Sequence, residues 1–227
     1  RNAATAPPPA ALPAQPHDEP LPLSSAQLRQ WFLLQLAPAD PVYNVPWFVR
    51  LAGDLDPAAL RGALQQLVDR HAALRTVFPE QAGEPRQVVL SEAQLQWAEV
   101  DARGLDAAAL RQRLQTIATA PMNLSRGPLL HVHLLQTEDD AWVLALVVHH
   151  IVYDAGSHAI VLRDLATAYN ARRLEQPAAL PSPAAQFVDY ACWQREWLTS
   201  AEADAQLAYW CAQLDAAPRC LNLPTDR

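Results

Sequence analysis

Two adjacent imidazoles, His149 and His150, followed by Ile151, Val152, Tyr153 and Asp154, are the residues of this chain best suited to chemistry. Histidine can ligate a metal, activate a nucleophile, or transfer a proton near neutral pH. Adjacent residues on a strand point to opposite faces, so these two are poorly placed to share one metal. His131 and His133 share a strand face and could chelate, but no third ligand stands nearby at a recognisable spacing; they read as exposed polar residues on a half-buried strand. Covalent catalysis has little support either. There is no GxSxG elbow and no cysteine with an evident base partner, and Ser157 lies where a helix begins. Two readings of the pair stay open: a histidine acting on bound reactants, or a satisfied core histidine at a strand end. The second imidazole favours the first reading, as does Asp154, which could fix the loop through an ion pair.

Positioning these groups requires a rigid support. The most apolar stretch of the chain, Val143 to Val148, leads directly into the histidines and reads as a central strand covered on both faces. Leu129 to Gln136 alternates as a second strand, and Thr137 to Asp140 joins the two as an antiparallel hairpin. A helix opens at Ser24 or Ser25 and stops before Pro38; a strand runs from Tyr43 to Leu51. Asp56 and Pro57 start an amphipathic helix reaching His71. Residues 73 to 79 and 86 to 90 read as short extended segments, 95 to 100 as a strand, and 106 to 118 as a helix. Helical patterns follow at about 157 to 174, 183 to 200 and 203 to 215. The class expected is α/β, a mixed sheet flanked by helices.

Composition narrows the function. Of 227 residues, 51% are apolar, enough for a sizeable core. A net charge of −7 without a Lys/Arg cluster argues against nucleic acid. No apolar run has membrane-spanning length and no signal peptide is evident, so no membrane partner and a cytoplasmic location are expected. Cys192, Cys211 and Cys220 form no CxxC pair and read as buried or incidental thiols. Residues 1 to 20, rich in Ala and Pro, read as a linker. The chain opens on Arg1 and stops at Arg227 without a tail-like composition, as a piece of a longer polypeptide would.

The segment from Val147 to Ser157 resembles the HHxxxDG signature of condensation domains of nonribosomal peptide synthetases. Ser25 to Leu33 is similar to that family's first core motif, with Tyr43-Asn44-Val45-Pro46 a frequent sequel. Arg70 to Phe78 resembles the second, and Asp189-Tyr190-Ala191-Cys192-Trp193 the fourth. The resemblance implies a chloramphenicol acetyltransferase-like lobe at 21 to 227, one half of a two-lobed domain. Leu221 to Arg227 resembles the stretch before the second, carboxy-terminal lobe, which this chain lacks.

By that resemblance His150 carries the chemistry, His149 supports the loop, and Asp154 is structural and paired with an arginine, either Arg70 or Arg75. Ala155, Gly156 and Ser157 complete the loop. The reaction implied is attack by the α-amine of a carrier-bound aminoacyl acceptor on a carrier-bound donor thioester, forming an amide. No cofactor or metal belongs to the domain itself; the substrates hang on phosphopantetheine arms of donor and acceptor peptidyl carrier proteins, with neighbouring synthetase domains as further partners. The opening motif looks most like domains joining an L donor to an L acceptor. Epimerisation, starter condensation and a non-catalytic platform for carrier or tailoring proteins are the alternatives. Ala155 stands where the family usually has Gly. If that position needs positive φ or close substrate approach, its methyl group narrows the site or shifts the turn by a residue.

Overall fold

The computed structural model describes residues 12–16, 19–38, 40–218 and 220. Most of the expected 1 to 20 linker, and the stretch from Leu221 to Arg227, lie outside these. The run Val143 to Val148 forms the centre of the sheet because almost none of it can face water. Strand β8 (Ala141–His149) pairs antiparallel with β7 (Leu130–Glu138) on one side and with β1 (Asn44–Ala52) on the other. Strand β6 (Gln96–Asp101) joins β7 in parallel, giving the order β1-β8-β7-β6 and a mixed sheet. The expected hairpin is present, with Leu130 opposite Val148.

Helices cover both faces. On one, α2 (Pro57–Arg70) and α4 (Ala155–Arg173) press Leu60, Leu64, Leu67, Leu165 and Ala168 onto Leu130, Val132, Leu134, Leu144, Leu146 and Val148. On the other, α1 (Ser25–Leu36) and α3 (Ala107–Ala118) bring Leu34 and Ile117 to Leu135, Val143, Ala145 and Val147. Each Leu, Val or Ile among them, fully buried, contributes roughly 1.5–3 kcal/mol. Short strands β2 (Thr76–Val77), β3 (Glu80–Gln81), β4 (Glu84–Pro85) and β5 (Val88–Val89) form two small antiparallel pairs beside the sheet. Helices α5 (Phe187–Trp197) and α6 (Ala201–Leu214) close the described chain.

Local signals set the helix starts. Asp56 accepts from the Ala59 N–H at 2.9 Å with Pro57 in the first turn, and Asp106 accepts from Ala108 and Ala109. Ser24 and Gln27 form a reciprocal box at α1. Among described linker residues, the Gln15 N–H donates to Asp189 Oδ1 at 2.9 Å, and Leu21 bridges to Gln87 through both backbone bonds.

Four expectations need correction. The stretch from 73 onward begins as a 3₁₀ turn, Ala72–Arg75, before the two residues of β2, because the C-terminal cap of α2 at His71 turns the chain. Helix α5 begins at Phe187 rather than near 183. The helix expected from Ser157 starts at Ala155, since Asp154 is its cap. His131 and His133 are not exposed: His131 is buried and His133 half-buried, because α1 and α3 cover the face they share. Burial lowers the pKa of both.

Candidate active site

The site is built where β8 runs out. His149 is its last residue, 2% exposed, on the sheet face covered by α1 and α3, with its backbone N–H donated to the Leu129 carbonyl at 3.0 Å. Its ring meets that of Tyr43 at 6.1 Å between centroids. Beside it, Asn44 donates to the Ala118 and Ala120 carbonyls and ties β1 to the end of α3. The chain then folds into a 3₁₀ turn, His150–Val152, with His149 as its cap: Nδ1 accepts from the Ile151 N–H at 3.1 Å.

That bond requires a lone pair on Nδ1, so His149 is neutral with its proton on Nε2. Burial, aided by repulsion from His150, pushes its pKa down to about 4. His149 is therefore a poor proton acceptor near neutral pH. Its neighbour differs in exposure. His150 heads the turn and its side chain is exposed at the lobe surface. Ile151 and Tyr153 point back into the core, so the turn presents one imidazole outward on a buried base.

Asp154 does not pair with Arg70 or Arg75. Its Oδ1 accepts from the Ser157 N–H at 2.8 Å and from the Ser157 hydroxyl at 2.7 Å, while Ser157 Oγ accepts from the Asp154 N–H at 3.3 Å. This is a capping box at the start of α4, where a negative charge is favoured by the exposed N–H groups of the first turn. The Ser157 bonds, joined by attraction to His150, hold the Asp154 carboxyl below its ordinary pKa. Ala155 is the first helical residue, and neither it nor Gly156 has a positive φ. The turn therefore makes no demand for glycine at 155.

Arg75 bonds the Leu90 carbonyl. Arg70 binds Asp164 instead: its Nε donates to Oδ2 at 2.9 Å and its guanidinium reaches the Pro181 carbonyl. Asp164 is fully buried and also contacts His71 Nε2 at 3.0 Å and Arg163 at 2.8 and 2.9 Å. Burial raises its pKa, but the hydrogen bonds from Arg163, Arg70 and His71 outweigh that and lower it. This hub welds α2 to α4 behind the His150 turn.

Two further features escaped sequence reasoning. His158, in the first turns of α4, bonds the Tyr153 hydroxyl through Nδ1 at 2.7 Å and meets the Trp47 ring edge-on at 3.8 Å. It shares with Val161, Asp164, Leu165 and Ala168 the helical spacing that faces the sheet; polar residues on that stripe were the available signal. A small open cleft lies beside the turn, lined by His71, Leu74, Val152, Tyr153, Ser157 and Ile160 among others. Among the described residues no three His, Cys, Asp or Glu side chains form a metal-binding group, and no helix is long and apolar enough to cross a membrane.

The site thus consists of a mixed sheet covered by helices on both faces and an exposed histidine just past the end of its central strand. Residues 18–227 match the family model of the condensation domain. The chain belongs to the condensation-domain family of nonribosomal peptide synthetases. It is 42% identical over 216 residues to a linear gramicidin synthase protein of Brevibacillus parabrevis, covering 93% of this chain and 3% of that protein. It is 40% identical over 232 residues to phosphinothricin tripeptide synthetase PhsC of Streptomyces viridochromogenes, covering 100% of this chain and 21% of the relative. The X-domain from teicoplanin biosynthesis superposes with a TM-score of 0.82 at 32% identity, over 96% of this chain and 48% of that one. The starter condensation domain of rhizomide synthetase RzmA superposes at 0.80 with 24% identity, over 88% and 49%. The fold is thus one chloramphenicol acetyltransferase-like lobe, and the chain spans about half the length of these solved structures and a small part of the curated synthetases.

Proposed function

We propose that this chain is the amino-terminal lobe of a condensation domain, following its Ala/Pro-rich linker, and that with a carboxy-terminal lobe it joins two carrier-bound substrates through an amide bond. The observation that carries the reading is the exposed imidazole of His150, held outward on a turn whose other members are buried or half-buried. The donor is an acyl or peptidyl thioester and the acceptor an aminoacyl thioester, each on the phosphopantetheine arm of a carrier protein. The acceptor nitrogen attacks the donor carbonyl, the new C–N bond forms, the C–S bond breaks, and the donor arm leaves as a thiol.

An α-amine has a pKa of about 7.7–8, so on the order of a tenth is already neutral at pH 7 and a strong base is unnecessary. His150 orients that amine, takes the proton of the strongly acidic ammonium in the tetrahedral intermediate, and passes it to the departing sulfur. His149 and Asp154 act on the fold: one caps the turn, the other the helix after it.

The opening motif supports an L donor joined to an L acceptor; the likeness to starter condensation domains, at 24% identity, bears on fold and leaves a starter acyl donor as the competing subtype. A non-catalytic platform is the second reading, favoured by the 32% identity to the X-domain from teicoplanin biosynthesis, which has been solved in complex with OxyB. Mass spectrometry of the two-lobed protein mixed with loaded carriers separates these. Amide on the acceptor carrier from an aminoacyl donor supports the first subtype, amide only from a fatty acyl donor the second, and no amide from either the platform.

A further inference from the structure

Ile151 directly follows His150, and both of its backbone groups are claimed. Its N–H goes to His149 Nδ1 at 3.1 Å, and its carbonyl accepts from Gln27 Nε2 at 3.3 Å, a contact between residues 124 apart in sequence. Gln27 is 3% exposed and uses both ends of its amide: Oε1 accepts from the Ser24 N–H at 3.0 Å, closing the α1 capping box, while Nε2 reaches the turn. The orientation of this amide is set by its partners, one a donor and the other an acceptor. Glutamine serves here where glutamate would not. Either residue completes a capping box, but only the amide can also donate to a carbonyl on its other side.

We infer that Gln27 is a positioning residue for His150: it couples α1 to the 3₁₀ turn at the Ile151–Val152 peptide while His149 holds the His150–Ile151 peptide, and the two bonds together fix the backbone that carries the outward imidazole. His150 is exposed and gains little packing of its own, so its aim depends on the backbone that bears it. A displacement of about 1 Å at a reacting group can cost on the order of a hundredfold in rate. The catalytic part of this inference rests on the amide-forming role proposed above; the clamp itself does not.

Three variants separate positioning from mere capping. Gln27→Met removes both side-chain bonds, Gln27→Glu keeps the capping acceptor and loses the donor to Ile151, and Ser24→Ala weakens the cap while leaving the Gln27 to Ile151 bond. Hydrogen exchange at the Ile151 amide, measured on the 227-residue chain, is expected to accelerate at least about tenfold in both Gln27 variants and to stay unchanged in Ser24→Ala. In the two-lobed protein with loaded carriers, kcat is expected to fall about a hundredfold in the Gln27 variants with KM within about twofold, and to hold in Ser24→Ala. Should Gln27→Met not fold, Gln27→Glu carries the test. Unchanged Ile151 exchange in a folded Gln27 variant overturns the clamp, and normal kcat with accelerated exchange overturns its catalytic role. Accelerated exchange in a protein whose wild type forms no amide upholds the clamp and overturns the proposed function.

Discussion

His149 makes stability depend on pH in a calculable way. Its folded pKa lies at about 4 against an ordinary value of 6.5. The unfolded chain therefore binds a proton below pH 6.5 that the folded chain refuses, and the contribution present above that pH is lost as pH falls toward 4. Between pH 8 and pH 4.5 the loss is of the order of 2–3 kcal/mol. His131 and His133 shift in the same direction, so the wild-type curve alone is ambiguous. The informative comparison is with His149→Asn, whose Oδ1 can accept from the Ile151 N–H but does not titrate. Urea unfolding of both proteins across this range should show the wild type losing roughly 2–3 kcal/mol more than the variant. Parallel curves, differing by less than about 0.5 kcal/mol over the range, would refute the neutral, buried imidazole and with it the capping of the turn.

The Asp164 hub makes an asymmetric prediction. Asp164→Ala should cost about 3–5 kcal/mol by leaving Arg70 uncompensated, whereas Arg163→Ala, at a side chain 66% exposed, should cost less than about 1 kcal/mol in denaturant unfolding; equal costs would refute the hub. Gln15→Pro deletes the N–H given to Asp189 Oδ1 but leaves the Gln186 N–H on Oδ2, so limited proteolysis upstream of Leu21 should quicken while thermal unfolding changes little; unchanged cleavage would mean the segment is not held there. Ala155→Gly should leave amide formation unaltered and destabilise by less than about 0.5 kcal/mol, since the position opens the helix rather than lying in its interior; a faster reaction would show that the methyl group obstructs substrate.

Much of this architecture is legible in the residues. The apolar run from Val143 marks the central strand, Asp56-Pro57 and Ser24 mark helix starts, and the motifs around His150 place it at a strand end. What escaped is the choice of partners, where local and distant pairings compete. Asp154 has an arginine-seeking charge, yet its serine three positions on is a nearer partner, and local capping won over a long-range ion pair. The arginine bond went to Asp164, which nothing in a linear reading distinguishes except its place on the sheet-facing stripe of α4. The burial of His131 and His133 depends on α1 and α3 covering a face that alternation alone suggests is wet. Gln27 looks like half of a capping box; its second bond exists only because the fold brings α1 to the turn.

The central claim is that His150 acts on the reacting amine while the rest of the turn holds it. Single-turnover amide formation between carrier-bound donor and acceptor, followed in the two-lobed protein with and without His150→Ala, addresses it most directly. The rate is expected to be about 10²- to 10⁴-fold lower in the variant, with carrier affinity and unfolding unchanged. A variant that forms amide at the wild-type rate would contradict the claim.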